Sequence, residues 1–161
     1  MYGFAGGDPV NYQDPFGLCP IEVDGIPCTA QYVGGASVGS QKLRSALDAV
    51  AAEQNRTLFV YGGDRTVERN KAVGGAPNSA HVLGEGADVI FDGMTKAETA
   101  DALFHSDARK DAGVRLLYHK KGARLPEHSH LDLKKGPDIQ EQPKGTPGKR
   151  YVRMVDPGYD P

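Results

Sequence analysis

The chain has 161 residues, a quarter of them charged, and a formal net charge of −2. That length suits one domain with a core of its own, and the charge balance lacks the strongly basic footprint of a nucleic-acid binder. Its apolar runs are too short to cross a bilayer, so neither a nucleic acid nor a membrane is expected as a partner.

Residues 1–18 form a turn-rich tail, punctuated by Gly6-Gly7-Asp8-Pro9 and Asp14-Pro15-Phe16-Gly17. The start has neither the basic residues nor the apolar stretch of a signal peptide, so something else is expected to carry the protein if it acts outside the cytoplasm. Cys19 and Cys28 bracket a Pro/Gly loop, and their spacing leaves a disulfide and two free thiols equally open. Ser40 then caps a helix in which Leu43, Ala46, Leu47, Val50 and Ala51 recur with helical period. Residues 57–61 read as a strand ending at Gly62-Gly63, and 65–73 as a short helix stopped by Gly74-Gly75. A second strand covers 87–91. Thr95 with Glu98 makes a capping box that opens a helix to about Ser106. Strands follow at 114–118 and 129–133, and in the Pro/Gly/Lys-rich tail at 136–161 only residues 151–155 look able to pair. Helices and short strands without βαβ alternation predict an α+β fold. The expected architecture is a small antiparallel sheet flanked by helices, with a core over about 38–135 and extended tails at both ends.

The chemistry concentrates in two segments. His81 and Asp88 stand seven residues apart, either side of Gly84 and Gly86. On one helix they would lie about 10.5 Å apart along the axis, too far to share an ion bound at about 2 Å. The glycines allow the chain instead to bend back and bring them together. In the second segment an extended strand puts His128, His130 and Asp132 on one face, with Leu131 and Leu133 toward the core. His81, Asp88 and His130 would form a two-histidine, one-carboxylate set. Three protein ligands with an open fourth position is the pattern of catalytic zinc, which makes water reactive near neutral pH. Spacing leaves ordinary hydrogen-bonded histidines equally open, and His105 and His119 are expected to be surface or hydrogen-bonded residues.

Residues 61–88 resemble the first half of the zinc D-Ala-D-Ala carboxypeptidase family, whose signature is Ser-x-His-x-x-Gly-x-Ala-x-Asp. Ser79, His81, Gly84 and Asp88 match it, with Gly86 replacing the alanine. The family's upstream Ser-Gly-Tyr-Arg aligns with Gly62-Gly63-Asp64-Arg65, so the arginine falls on Arg65 while the serine and tyrosine are missing. Relatives place the third ligand in a Glu-x-x-His or His-x-Asp setting, and Glu127 to His130 and His130 to Asp132 satisfy both. The resemblance implies Zn2+ held by His81, Asp88 and His130, and hydrolysis of peptidoglycan stem peptides by D,D-carboxypeptidase or D,D-endopeptidase action. It also implies Arg65 and Ser79 at the substrate, Glu127 as base and His128 polarising the carbonyl, with the last two roles open to exchange. Asp132 would orient a ligand imidazole or stand as a simple solvated carboxylate. An extended strand would turn Glu127 away from His130, so the base assignment requires the strand to start after Glu127, which Pro126 favours.

Residues 8–18 resemble the end of the core of Rhs-repeat proteins, where an Asp-Pro-x-Gly-Leu stretch precedes a variable toxin domain. Cleavage would fall after Leu18, leaving 19–161 as a zinc peptidase toxin. This resemblance implies the Rhs core and a secretion apparatus as partners, a cognate immunity protein, and action in the periplasm of a target bacterium. Two alternatives remain open at this stage. One is a metal-dependent nuclease, suggested by His128-Ser129-His130 and the basic tail over 134–153. The other is a non-catalytic peptidoglycan-binding module.

Overall fold

The computed structural model describes residues 28–155 as seven strands and four helices. In chain order these are β1 (Ala30–Tyr32), α1 (Gln41–Gln54), β2 (Leu58–Gly62), α2 (Val67–Ala72) and β3 (Gly86–Phe91). There follow α3 (Lys96–Phe104), α4 (Asp107–Asp111), β4 (Arg115–His119), β5 (His128–Asp132), β6 (Ile139–Glu141) and β7 (Tyr151–Arg153). The fold is α+β, as expected. The sheet is neither small nor wholly antiparallel: seven strands run in the order β1-β2-β3-β5-β4-β6-β7, with β1–β2 and β4–β6 parallel. The expected Rhs boundary at residues 1–18 lies outside the described residues.

The helices begin where the sequence places their caps. The Ser40 hydroxyl accepts from Leu43 N at 3.1 Å, and Thr95 and Glu98 form the full capping box. The helix expected to reach Ser106 stops at Phe104. Ser106 instead caps α4, held by Glu53, whose carboxylate accepts from the Ser106 hydroxyl at 2.6 Å and from Ala108 N at 2.9 Å.

Alternation along the strands divides the sheet into two chemical faces. Leu58 and Val60 of β2, Val89 and Phe91 of β3, Leu116 and Tyr118 of β4 and Leu131 of β5 are buried with Leu43, Leu47 and Val50 of α1 and Leu103 of α3. The other parity carries Asp88, Arg115, His119, His128, His130 and Asp132, with Glu141 on β6. The core thus fixes the strands while the opposite face collects polar groups.

The segment at 136–155, expected to be a tail with one late strand, contributes two strands to this sheet. Buried Arg109 of α4 explains why β6 docks: its guanidinium grips both Asp138 oxygens at 2.8 and 2.7 Å, and Asp138 also accepts from Leu116 N. Met154 is buried in the core. Cys28, also buried, is disulfide-bonded; the chain's other cysteine, Cys19, lies outside the described residues. Among the described residues, no helix is long and apolar enough to cross a membrane.

Candidate metal centre

Asp88 on β3 and His130 on β5 are direct register partners in the antiparallel ladder. Partners of this kind hold their Cβ atoms about 5 Å apart, so two ligand side chains on one face meet without any loop to guide them. His81 comes from the loop before β3. Its backbone N–H donates to the Ser79 hydroxyl at 3.2 Å, and its carbonyl accepts from Arg65 N at 3.0 Å. Two glycines clear the space. A Cβ on Gly62 would run into the Asp88 carboxylate, and one on Gly86 would press on Ala80 and His130 at 3.0 Å. A register shift between Val60 and Gly62 lies beside the site.

The ligand atoms of His81, Asp88 and His130 all lie within 4.8 Å of one another, and all three residues are buried. Asp88 Oδ1 is 3.3 Å from His81 Nε2 and 3.1 Å from His130 Nδ1. Ligands bound to zinc at about 2 Å in a tetrahedron are roughly 3.3 Å apart, so the two separations from Asp88 are those of a coordination shell.

The outer hydrogen bonds fix which nitrogen of each ring carries its proton. The Gly63 carbonyl can only accept, so His81 Nδ1 donates to it at 2.8 Å and Nε2 keeps its lone pair. The Asp132 carboxylate likewise accepts from His130 Nε2 at 2.9 Å, and with the neutral ring in that tautomer Nδ1 is open toward Asp88. Arg115 holds Asp132 in place with two bonds, at 3.1 and 2.8 Å. Three lone-pair atoms therefore point at one another, an arrangement that requires a proton or a cation between them. The donor set of two imidazole nitrogens and one carboxylate oxygen fits zinc. Without a cation the site draws protons. Burial pushes the Asp88 carboxyl up, but its bonds to His130 and His81 outweigh that and hold it well below the usual range. Burial alone would lower the His130 imidazole, but Asp132 and Asp88 raise it above its ordinary value.

A family model described as Peptidase M15 matches residues 20–121, well over half of the chain. The chain belongs to the peptidase M15 family. No curated protein sequence matches it. The matched span of this M15 peptidase contains Arg65, Ser79, His81 and Asp88. It ends before Glu127, His128 and His130, which the fold brings to the same cleft. Membership and the convergent His-Asp-His set together support a zinc-type metallopeptidase domain.

The remaining expected site residues line that cleft, a cavity of about 710 Å³. Arg65 makes no ion pair with Asp64 or Glu68. It donates to Asn70 Oδ1 at 3.1 Å and stands 3.9 Å from Asp88 Oδ2. Strand β5 starts at His128, just after Glu127. The Glu127 carboxylate accepts from the Tyr118 hydroxyl at 2.5 Å. His128 Nδ1 donates to the Pro126 carbonyl at 2.6 Å, and its Nε2 lies 3.7 Å from Asp88 Oδ1.

Sequence reasoning missed three residues of the cleft and its wall, Arg115, His119 and Glu141, and the core-face Tyr118 that holds Glu127. His119 is hydrogen-bonded, as expected of it, yet it is buried in the cleft wall rather than remote from the chemistry. Extending the strand expected at 114–118 by one residue, to His119, would have placed it on the same face as Leu117 and Arg115 and so beside β5.

Proposed function

We propose that this M15 domain is a zinc-dependent D,D-carboxypeptidase or D,D-endopeptidase that hydrolyses peptidoglycan stem peptides. The observation that carries the reading is the convergence of His81 Nε2, Asp88 Oδ1 and His130 Nδ1 in an open cleft of a chain belonging to this family. A zinc ion held there would supply Lewis acidity and lower the pKa of a water toward about 7.

The cleft suits an anionic peptide. Arg65, Lys96, Lys134 and Arg150 line it, while its carboxylates at Asp88, Glu127 and Asp132 are all engaged by partners within the protein. Arg65 keeps guanidinium N–H groups for a substrate carboxylate, such as a D-alanine C-terminus. Ser79 orders the loop under the substrate through its bond to His81 N.

Glu127 takes the proton from the attacking water and returns it to the leaving amine, and His128 stabilises the tetrahedral state. One observation favours the exchanged roles. In the observed ring orientation His128 Nδ1 donates to the Pro126 carbonyl, so Nε2 is the nitrogen turned to the cleft. Comparing Glu127→Gln with His128→Gln separates the two assignments by which variant loses the rate at alkaline as well as neutral pH.

In the organism, the reading is of an antibacterial effector released after Leu18 from an Rhs core, exported by a secretion apparatus and active in a rival's periplasm. A cognate immunity protein would block the cleft. Its support is the Asp-Pro-x-Gly-Leu stretch at 14–18. The test is digestion of purified sacculi with zinc quantified in the same sample, beside DNA and RNA, with and without chelator. Chelator-sensitive muropeptide cleavage at a D,D bond supports the proposal; cleavage of nucleic acid alone refutes it.

A further inference from the structure

We propose that His119 is a positioning residue that fixes the ring of His128 in the metal cleft. The part that concerns rate rests on the peptidase reading; the part that concerns orientation does not.

The two rings are register partners across β4 and β5, and they stack face to face with centroids 4.4 Å apart and planes 21° from parallel. A stack constrains His128 only if His119 is itself immobile, and two contacts, one of them braced from behind, make it so. Its Nδ1 donates to Glu141 Oε1 at 2.6 Å. Glu141, its register partner on β6, is fully buried and accepts a second bond, from Arg150 Nε at 2.6 Å. Tyr151 meets the ring edge-on at 6.4 Å.

A buried carboxylate is costly unless it is paired, and an apolar side chain would pack this wall at less cost. What Glu141 adds is a fixed acceptor that sets the tilt and tautomer of His119. Burial, opposed by the bond to Glu141, pushes the His119 imidazole down to about 4 and keeps it neutral at working pH. An uncharged ring can lie flat against His128. The His119 face then sets the plane of His128, and the Pro126 carbonyl sets its rotation within that plane. Together they aim Nε2 to within 3.7 Å of Asp88 Oδ1. Glu141, Arg150 and Tyr151 all lie beyond the span matched to the family, so this brace belongs to the C-terminal strands of this chain.

The test uses the whole zinc-loaded chain as wild type, His119→Ala, His119→Phe, His128→Ala and the double alanine variant. Long-range 1H–15N spectra of the His128 ring should show a single Nδ1–H tautomer in the wild type. They should show averaged nitrogen shifts in His119→Ala, and recovery of the single tautomer in His119→Phe, which restores the stacking face. On soluble muropeptides, His119→Ala should lower kcat about 10- to 100-fold with KM little changed, and His119→Phe should recover most of that loss. In the His128→Ala background the His119→Ala change should add less than about twofold, because residues acting as a unit are not additive. A single His128 tautomer that survives in His119→Ala overturns the proposal, as do losses that multiply in the double variant. A wild type that hydrolyses no muropeptide overturns the peptidase reading instead, and the spectra alone then decide the positioning role.

Discussion

Asp88 and His130 face each other across the β3–β5 ladder with Asp88 Oδ1 3.1 Å from His130 Nδ1, and Asp132 accepts a hydrogen bond from Nε2 on the far side of the same ring. The buried Asp132 carboxylate therefore decides which nitrogen of His130 is open to a metal. Asp132→Asn should weaken zinc binding about 10- to 100-fold, measured by competition with a chromogenic chelator. Unchanged affinity would mean that Asp132 serves only to hold Arg115.

Glu127 is tied to Tyr118 rather than to any metal ligand. Glu127→Gln should cut hydrolysis by at least about 100-fold while the protein still binds one zinc per chain. Zinc content by atomic emission and turnover by chromatography of muropeptides check the two halves. A variant that loses its zinc would make Glu127 a ligand.

Gly62 has no substitute in this packing, because any Cβ there would occupy the Asp88 carboxylate. Gly62→Ala should lower stability by about 1–3 kcal/mol and reduce zinc occupancy at limiting metal. Urea denaturation with and without zinc tests this. Full occupancy at wild-type stability would show that β2 and β3 shift apart without cost.

The buried His119 makes stability depend on pH. Burial lowers its pKa from 6.5 to about 4, against the opposing pull of Glu141. The unfolded chain therefore binds a proton between pH 6.5 and 4 that the folded chain refuses. The stability that comes from this difference is complete above pH 6.5 and lost as pH falls toward 4, about 3 kcal/mol in all. Urea midpoints at pH 6.5 and 4.5, taken in chelator so that zinc release adds nothing, should fall less in His119→Phe than in the wild type. Equal falls would place a charged His119 in the folded protein.

The parts of this protein that follow local rules were legible in its sequence. Ser40, Thr95 and Glu98 cap the helices they were expected to cap, because capping is settled within four residues. The parity of 128–132 was legible too, since alternation needs no partner strand. The sheet's mixed order was not. β6 has three residues and lies in a segment rich in Pro, Gly and Lys, and what docks it is the long-range grip of Arg109 on Asp138. The metal set was proposed from a motif and one strand, and the β3–β5 register supplies the reason the two meet. His119 and Glu141 stayed hidden because their importance is created by strands that pair only in the folded chain.

The most direct measurement is X-ray absorption at the zinc edge on protein loaded with one equivalent of zinc, alongside His81→Ala and His130→Ala. The account predicts nitrogen and oxygen scatterers alone at about 2.0–2.1 Å, outer-shell scattering from two imidazoles in the wild type and from one in each variant. Scattering from sulfur, or an imidazole signal indifferent to both substitutions, would contradict it.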